Sequence, residues 1–345
     1  MLYKYADIND NFTINNLINN QLGFNRIENF NDPFDTNPKL DIDKNDIISA
    51  NISDEFKKTC LSLPKSQVID IAFEGIRKPS FTDKYGVTCF SKTNDNILMW
   101  SHYANSHKGF YLGFDLNENN LENFIDKKKN IENKLLFSNT KYRLLPIKYS
   151  SIRPTFKIFS NNYYEQAFDM LSIKNSIWKY ENEYRIFLYN KNDKNVYFPL
   201  GIYYNSNYLK EIILGLNFSI NNFIKLYNTI NNHNINLKMC FSNKEYYKLD
   251  IHLIPRDNLD ILYKNLLTIK SLYTSEIILP FELDDTFNST SIPVSKLNKT
   301  LNILPVSNIL CSYPFIFLKP IQGINTSKDK NDFLSLLYLI STYIN

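Results

Sequence analysis

The sequence predicts an α+β protein: a mixed, largely antiparallel sheet with flanking helices over residues 1–252, and a small C-terminal extension over 253–345. Three observations predict it. Short runs that alternate in polarity, or are apolar throughout, read as strands in the early and middle parts of the chain, with helical stretches between them. A chain of 345 residues, 43% apolar and 21% charged, can bury a core without a disulfide or metal staple. After Ile254-Pro255 the texture changes to an amphipathic stretch and then to short apolar runs punctuated by Ser, Thr and Pro.

The elements follow in order. Residues 2–5 form the first strand. A helix over 13–20 places Ile14, Leu17 and Ile18 on one side. Asn31-Asp32-Pro33-Phe34-Asp35 is a turn, because Asn and Asp bond back to the backbone and Pro33 fixes φ. Residues 53–76 are helical, with Ser53 as N-cap, Phe56 and Cys60 on one face, and Pro64 opening a second helix. Residues 86–91 form a buried strand, after which Asn94 or Asp95 caps a helix carrying Ile97, Leu98, Met99, Trp100 and Tyr103. Residues 109–115 alternate as a strand, a polar helix occupies 117–126, and 144–149 is another strand. A helix over 161–175 precedes one long strand over 178–189. A short strand over 211–214 stops at Gly215, followed by a helix over 219–232 and a strand pair within 235–253. Helices are expected again over 257–273 and 330–343, with a domain boundary at 253–256.

Charge says little about partners. The 39 basic and 35 acidic residues leave a net charge of +4, and Lys127-Lys128-Lys129 is the longest basic run, so charge gives no reason to propose nucleic acid. Asn supplies about one residue in seven, and Ala and Arg are rare, as an AT-rich genome produces. Scarce residues are therefore the informative ones: 8 Gly, 4 His and 2 Trp. Cys60, Cys89, Cys240 and Cys311 show neither C-x-x-C spacing nor a His at zinc-ligand spacing, so no metal site is expected from them. The N-terminus lacks the apolar core of a signal peptide. The apolar stretches at 310–318 and 333–344 are too short or too mixed to span a bilayer, so the chain reads as cytosolic with no membrane partner.

The scarce residues gather in two segments, 89–115 (C-F-S-K-T-N-D-N-I-L-M-W-S-H-Y-A-N-S-H-K-G-F-Y-L-G-F-D) and 178–187 (W-K-Y-E-N-E-Y-R-I-F). On a strand, Glu181, Glu183 and Arg185 share one face and Tyr180, Tyr184, Ile186 and Leu188 the other. Carboxylates two residues apart perturb one another, and Arg185 opposes the effect. Such a row either stabilises a developing cation and supplies a base, or it is a solvated strand face with an ion pair of little worth. Ser91 at a strand end either positions a substrate or caps a turn. His102 and His107 are five apart and do not share a helix face. Asp32 and Asp35 are two acids in one turn, a weak metal signal. No phosphate-binding glycine loop, zinc-protease motif or G-x-S-x-G elbow is present.

Taken in order, four pieces resemble a bacterial family known as domain of unknown function 2971: L-Y-K-Y at 2–5, F-N-D-P-F-D at 30–35, the segment 89–115, and W-K-Y-E-N-E-Y-R at 178–185. I-I-L-G at 212–215 is similar too, so the likeness covers roughly residues 1–252. A second resemblance is to the ADP-ribosyltransferase fold. It carries Arg or His on an early strand, Ser or Tyr at the end of a middle strand, and Glu, often as E-x-E, on a late one. Here Lys4 or Tyr5, Ser91 and Glu181-x-Glu183 stand in that order, with Lys or Tyr in place of Arg or His and C-F-S in place of S-T-S.

That second resemblance implies an enzyme consuming NAD, in toxin or phage-defence biology, with an unidentified protein or nucleic-acid acceptor. Glu183 would hydrogen-bond the ribose and stabilise an oxocarbenium-like state, Glu181 would deprotonate the acceptor, and Ser91 would orient the ribose. Lys4 would meet the pyrophosphate and Tyr5 or Trp100 would stack on nicotinamide, with His102, Tyr103 and Arg185 completing the nucleotide contacts. Two other readings stay open. One is a metal-dependent nuclease or phosphodiesterase using Asp32, Asp35 and the Glu pair; the other is a non-catalytic ligand-binding or regulatory module.

Overall fold

Period-two alternation and wholly apolar runs become strands, and capped 3.6-period stretches become helices. The strands are β1 (Leu2–Ala6), β2 (Gln21–Arg26), β3 (Lys39–Asp41), β4 (Tyr85–Ser91), β5 (Phe110–Phe114), β6 (Lys141–Pro146), β7 (Lys148–Ser150), β8 (Thr155–Lys157), β9 (Ile173–Asn175), β10 (Glu183–Tyr189), β11 (Leu200–Tyr203), β12 (Leu209–Leu214), β13 (Phe218–Ser219), β14 (Asn236–Ser242), β15 (Leu249–Ile254) and β16 (Ile278–Leu279). The helices are α1 (Asn11–Ile18), α2 (Lys44–Ser49), α3 (Asp54–Ser62), α4 (Lys65–Ala72), α5 (Ile97–Tyr103), α6 (Leu121–Phe124), α7 (Lys127–Glu132), α8 (Tyr163–Leu171) and α9 (Ile220–Asn232). This computed structural model describes residues 1–8, 11–72, 85–136, 140–160, 163–189, 200–232, 235–243 and 245–254, together with 263, 267 and 278–279. The helices expected over 257–273 and 330–343 lie mostly or wholly outside the described residues.

The chain packs as two units, each assembled from several stretches. Unit one comprises Met1–Lys4, Asn15–Asn94 and Asp115–Tyr208; unit two comprises Tyr5–Ile14, Asp95–Phe114 and Leu209–Asn345.

In unit one the sheet is antiparallel throughout. β10 lies between β6 and β4, pairing from Tyr184↔Pro146 to Tyr189↔Lys141 on one edge and from Glu183↔Ser91 to Tyr189↔Tyr85 on the other. The far edge of β4 is shared: β2 pairs at Gly86 and Val87, and Tyr3 of β1 pairs with Ser91. β11 extends the sheet beyond β2. Small parallel pairs, β3 with β8 and β7 with β9, lie outside it. One sheet face carries Tyr85, Val87, Phe187 and Tyr189 into a core with Phe156, Ile158, Phe168, Leu171, Val68 and Ala72. Helices cover that core. Ser53 caps α3 by accepting from Phe56 N at 3.3 Å, and α4 starts immediately after Pro64.

Unit two is mixed. β12 is antiparallel to β5 and parallel to β14, and β14 is antiparallel to β15. The parallel step needs a crossover, which α9 supplies between β12 and β14. β16 adds to β13, and Tyr263 stacks on Tyr227 with ring centroids 3.6 Å apart. The segment after residue 253 is therefore tied into unit two at these points.

Several expectations are corrected by hydrogen bonding that spacing alone does not reveal. The cap of α5 is Asn96, whose Oδ1 accepts from Leu98 N and Met99 N. The polar helix over 117–126 is a 3-10 turn, Glu118–Asn120, followed by the four-residue α6. The strand over 144–149 is two, β6 and β7, and the helix over 161–175 gives way to β9 after Leu171. The long strand over 178–189 begins only at Glu183; Ser176–Glu181 is a 3-10 helix closed by Asn182 at φ 45°. Glu181 is thus not on the strand that bears Glu183 and Arg185.

Candidate functional site: a buried charged centre in unit one

Register builds this site. Glu183 pairs with Ser91 and Arg185 with Cys89, so side chains at these positions share one face of the sheet. β1 runs alongside, and Lys4 Nζ donates to the Cys89 carbonyl at 3.4 Å while lying 5.8 Å from the Phe90 ring centre. Ser91, fully buried, donates from Oγ to the Glu181 carbonyl at 2.7 Å and so ties the 3-10 turn to the end of β4. Lys92 N donates to the Asn182 carbonyl at 2.9 Å beside it.

At the centre lie three acids and two bases, all at most 6% exposed: Asp35, Glu181, Glu183, Lys174 and Arg185. Arg185 donates from Nε to Glu183 Oε1 at 2.7 Å and from Nη2 to Glu183 Oε2 at 3.0 Å. It also grips Asp35, Nη1 to Oδ1 at 3.0 Å and Nη2 to Oδ2 at 2.5 Å, and Nη1 reaches the Leu171 carbonyl at 3.0 Å. A guanidinium has five N–H groups, so these five bonds use them all. The Phe30 ring lies beneath the guanidinium at 4.8 Å. Lys174, from β9, donates to Glu181 Oε2 at 2.5 Å and to Glu183 Oε2 at 3.2 Å, with Asp35 Oδ2 at 3.5 Å.

An outer ring holds these elements. Asp32 accepts from Phe34 N at 2.8 Å and from Trp178 Nε1 at 2.7 Å, closing the N-D-P-F-D turn against the 3-10 helix. The Trp178 ring in turn lies 5.1 Å from Lys174 Nζ. Glu183 N donates to the Tyr149 hydroxyl at 2.8 Å.

Burial disfavours the charged forms of Glu183, Lys174 and Arg185, and pairing reverses the outcome for each. Burial alone would raise the Glu183 carboxyl, but Arg185, then Lys174 and the Cys89 thiol, pull it down from 4.5 to about 2. Burial would lower Lys174, but Glu183 and Glu181 push it well above its ordinary value. Burial lowers Lys4 despite the opposing pull of Cys89 and Glu183. Burial, reinforced by Glu183, drives the Cys89 thiol far up, so it stays neutral. Glu183 is therefore a fixed anion and too weak a base for proton abstraction near neutrality.

Of the residues singled out from sequence, Lys4, Ser91, Glu181, Glu183 and Arg185 meet here, and all belong to unit one. Tyr5, Trp100, His102 and Tyr103 belong to unit two. There Trp100 is fully buried, its ring centre 5.5 Å from Tyr5, 4.4 Å from Tyr111 and 6.2 Å from His107. His102 is exposed in the last turn of α5. The sequence reading missed Lys174, Tyr149 and Cys89. Lys174 left one trace, a lone cation between the apolar helix that ends at Leu171 and the scarce Trp178. Asp32 and Asp35, two acids in one turn, have their carboxylates engaged by Phe34, Trp178, Arg185 and Lys174. Among the described residues no group of three or more His, Cys, Asp or Glu is placed to hold a metal ion.

These features define an α+β protein whose sheet carries a buried, paired charged centre built from the N-D-P-F-D turn, the W-K-Y-E-N-E-Y-R segment and Lys174 of β9. Residues 99–186, which supply β5 to β9 and the first part of β10, match the family described as a protein of unknown function, DUF2971. No curated protein and no solved structure matches the chain. Among the described residues no helix is long and apolar enough to cross a membrane.

Proposed function

We propose that unit one is the catalytic body of an NAD-consuming, ADP-ribosyltransferase-like enzyme acting on a protein or nucleic-acid acceptor, in toxin or phage-defence biology. The supporting observation is that Lys4 on β1, Ser91 at the end of β4, Glu183 at the start of β10 and Glu181 in the adjoining 3-10 helix come together, with Glu183 held as an anion. Cleaving the nicotinamide glycosidic bond passes through an oxocarbenium-like state, and a preorganised carboxylate is the group that stabilises it. Glu183 has that role and not the base's. Glu181 serves the acceptor, Ser91 fixes the turn that presents Glu181, and Lys4 meets the pyrophosphate.

The test is nicotinamide release from NAD by the wild type, Glu183→Gln and Glu181→Gln, with NAD binding followed by calorimetry. Release by the wild type, lost in folded Glu183→Gln with binding retained, supports the reading. Neither release nor binding by the wild type overturns it. One observation favours a second reading, a non-catalytic module: every N–H of Arg185 is satisfied within the protein. In that case the centre is architectural, and Glu183→Gln alters stability alone.

A further inference from the structure

We infer that Lys174 is a positioning residue for the acid pair: its ammonium, seated between Glu181 and Glu183, holds the two carboxylates at one working separation. The inference deepens the glycosyl-transfer reading and rests on it for the word working.

The geometry carries it. Glu181 ends a 3-10 helix and Glu183 begins β10, with the left-handed Asn182 between them. Nothing in that backbone makes the two carboxylates face each other. Lys174 arrives from a third element, β9, and is 2.5 Å from one carboxylate and 3.2 Å from the other. It is itself fixed, since β9 pairs with β7 through Tyr149↔Lys174, and Trp178 packs against its ammonium. Arg185 cannot substitute, because all its N–H groups serve Asp35, Glu183 and Leu171.

Charge counting agrees. The groups facing Lys174 are Asp35 from the N-D-P-F-D turn, Glu181 from the 3-10 helix, and Glu183 and Arg185 from β10. Tyr149 from β7 and Tyr180 from the 3-10 helix also act on Lys174 and Glu181, while Lys4 from β1 and Cys89 from β4 act on Glu183. With Lys174 the inner five carry three negative and two positive charges; without it, three face one. Buried carboxylates lacking a counter-charge take up protons. Removing Lys174 thus changes both the spacing of the pair and its ionisation.

Lys174→Met and Lys174→Arg test this in the full chain. In Lys174→Met the titration of Glu183, followed by carboxyl-carbon NMR and assigned with Glu183→Gln, moves up from about 2; a carboxyl that does not move overturns the inference. Should Lys174→Met fail to fold, Lys174→Met combined with Glu181→Gln restores folding, because no uncompensated charge is left at position 181; a double variant no better folded than the single one overturns it. For NAD turnover, Lys174→Arg keeps the charge but spreads it over a planar fork, so kcat falls about tenfold or more while KM holds. In Lys174→Met the acid limb of the pH–rate profile moves to higher pH, which a merely structural lysine would not cause. If the wild type releases no nicotinamide, the NAD reading falls, and the titration and folding arms still decide the role of Lys174.

Discussion

Glu183 shows how far neighbours override the intrinsic properties of a side chain. A carboxylate at 6% exposure is unfavourable by itself, and it persists because Arg185 and Lys174 contribute three charge-assisted bonds. Glu183→Gln keeps the shape and leaves both cations short of a partner. It is expected to lower unfolding stability by about 3–5 kcal/mol, the scale for breaking a buried pair, as urea denaturation will measure. In folded protein, nicotinamide release is expected to fall by about two orders of magnitude or more. Alternation places Glu183 and Arg185 on one face. It does not say whether water, core or a counter-ion covers that face, because the covering residues, Asp35 and Lys174, are 150 and 11 positions from Arg185 in sequence.

The W-K-Y-E-N-E-Y-R segment changes conformation in its middle. Asn182 at φ 45° turns the chain from the 3-10 helix into β10, a left-handed backbone that Asn and Gly accept readily and β-branched residues resist. Asn182→Gly is expected to stay close to wild type in thermal unfolding, and Asn182→Val to lose about 1–2 kcal/mol. In unit two the turn after α5 is similarly exacting. Asn105, Ser106 and His107 have φ of 48°, 53° and 65°, and a Cβ on Gly109 would sit 2.2 Å from the Ala6 carbonyl oxygen. Gly109→Ala must move backbone, so a loss of about 1–3 kcal/mol is expected by the same assay. Strand periodicity could not foresee either turn, since left-handed residues leave no periodic mark.

The charged centre sets a pH window for unit one. Glu183 has a folded value lowered from 4.5 to about 2, so its contribution is present above 4.5 and is lost as pH falls toward 2. Lys174 is raised above 10.5, so its contribution is present below 10.5 and is lost as pH rises through its higher folded value. For unit one the melting temperature is therefore expected to be flat from about pH 5 to about pH 8 and to fall on both sides, the raised Cys89 thiol adding to the alkaline loss and the acid slope being shallower in Glu183→Gln. In unit two, ending the chain at residue 255 removes β16 from β13 and Tyr263 from Tyr227. A lower unfolding temperature for unit two in that truncated chain, read by calorimetry, is the expected result.

The local code of this chain was legible residue by residue. Apolar runs marked β4, β10 and β12, Ser53 marked the start of α3, Pro64 marked the start of α4, and the scarce Trp178 marked the segment that packs against Asp32 and Lys174. Each of these is decided within a few residues, by side-chain alternation, by a cap's own oxygen or by a missing N–H, and such signals survive in one dimension. Only the tertiary structure decided that N-D-P-F-D closes over W-K-Y-E-N-E-Y-R, that Arg185 spends every donor inside the protein, and that Lys174 links the two glutamates. Those are long-range pairings of buried charge. Their energy comes from being removed together from water, and which charges are removed together is a property of the folded chain alone.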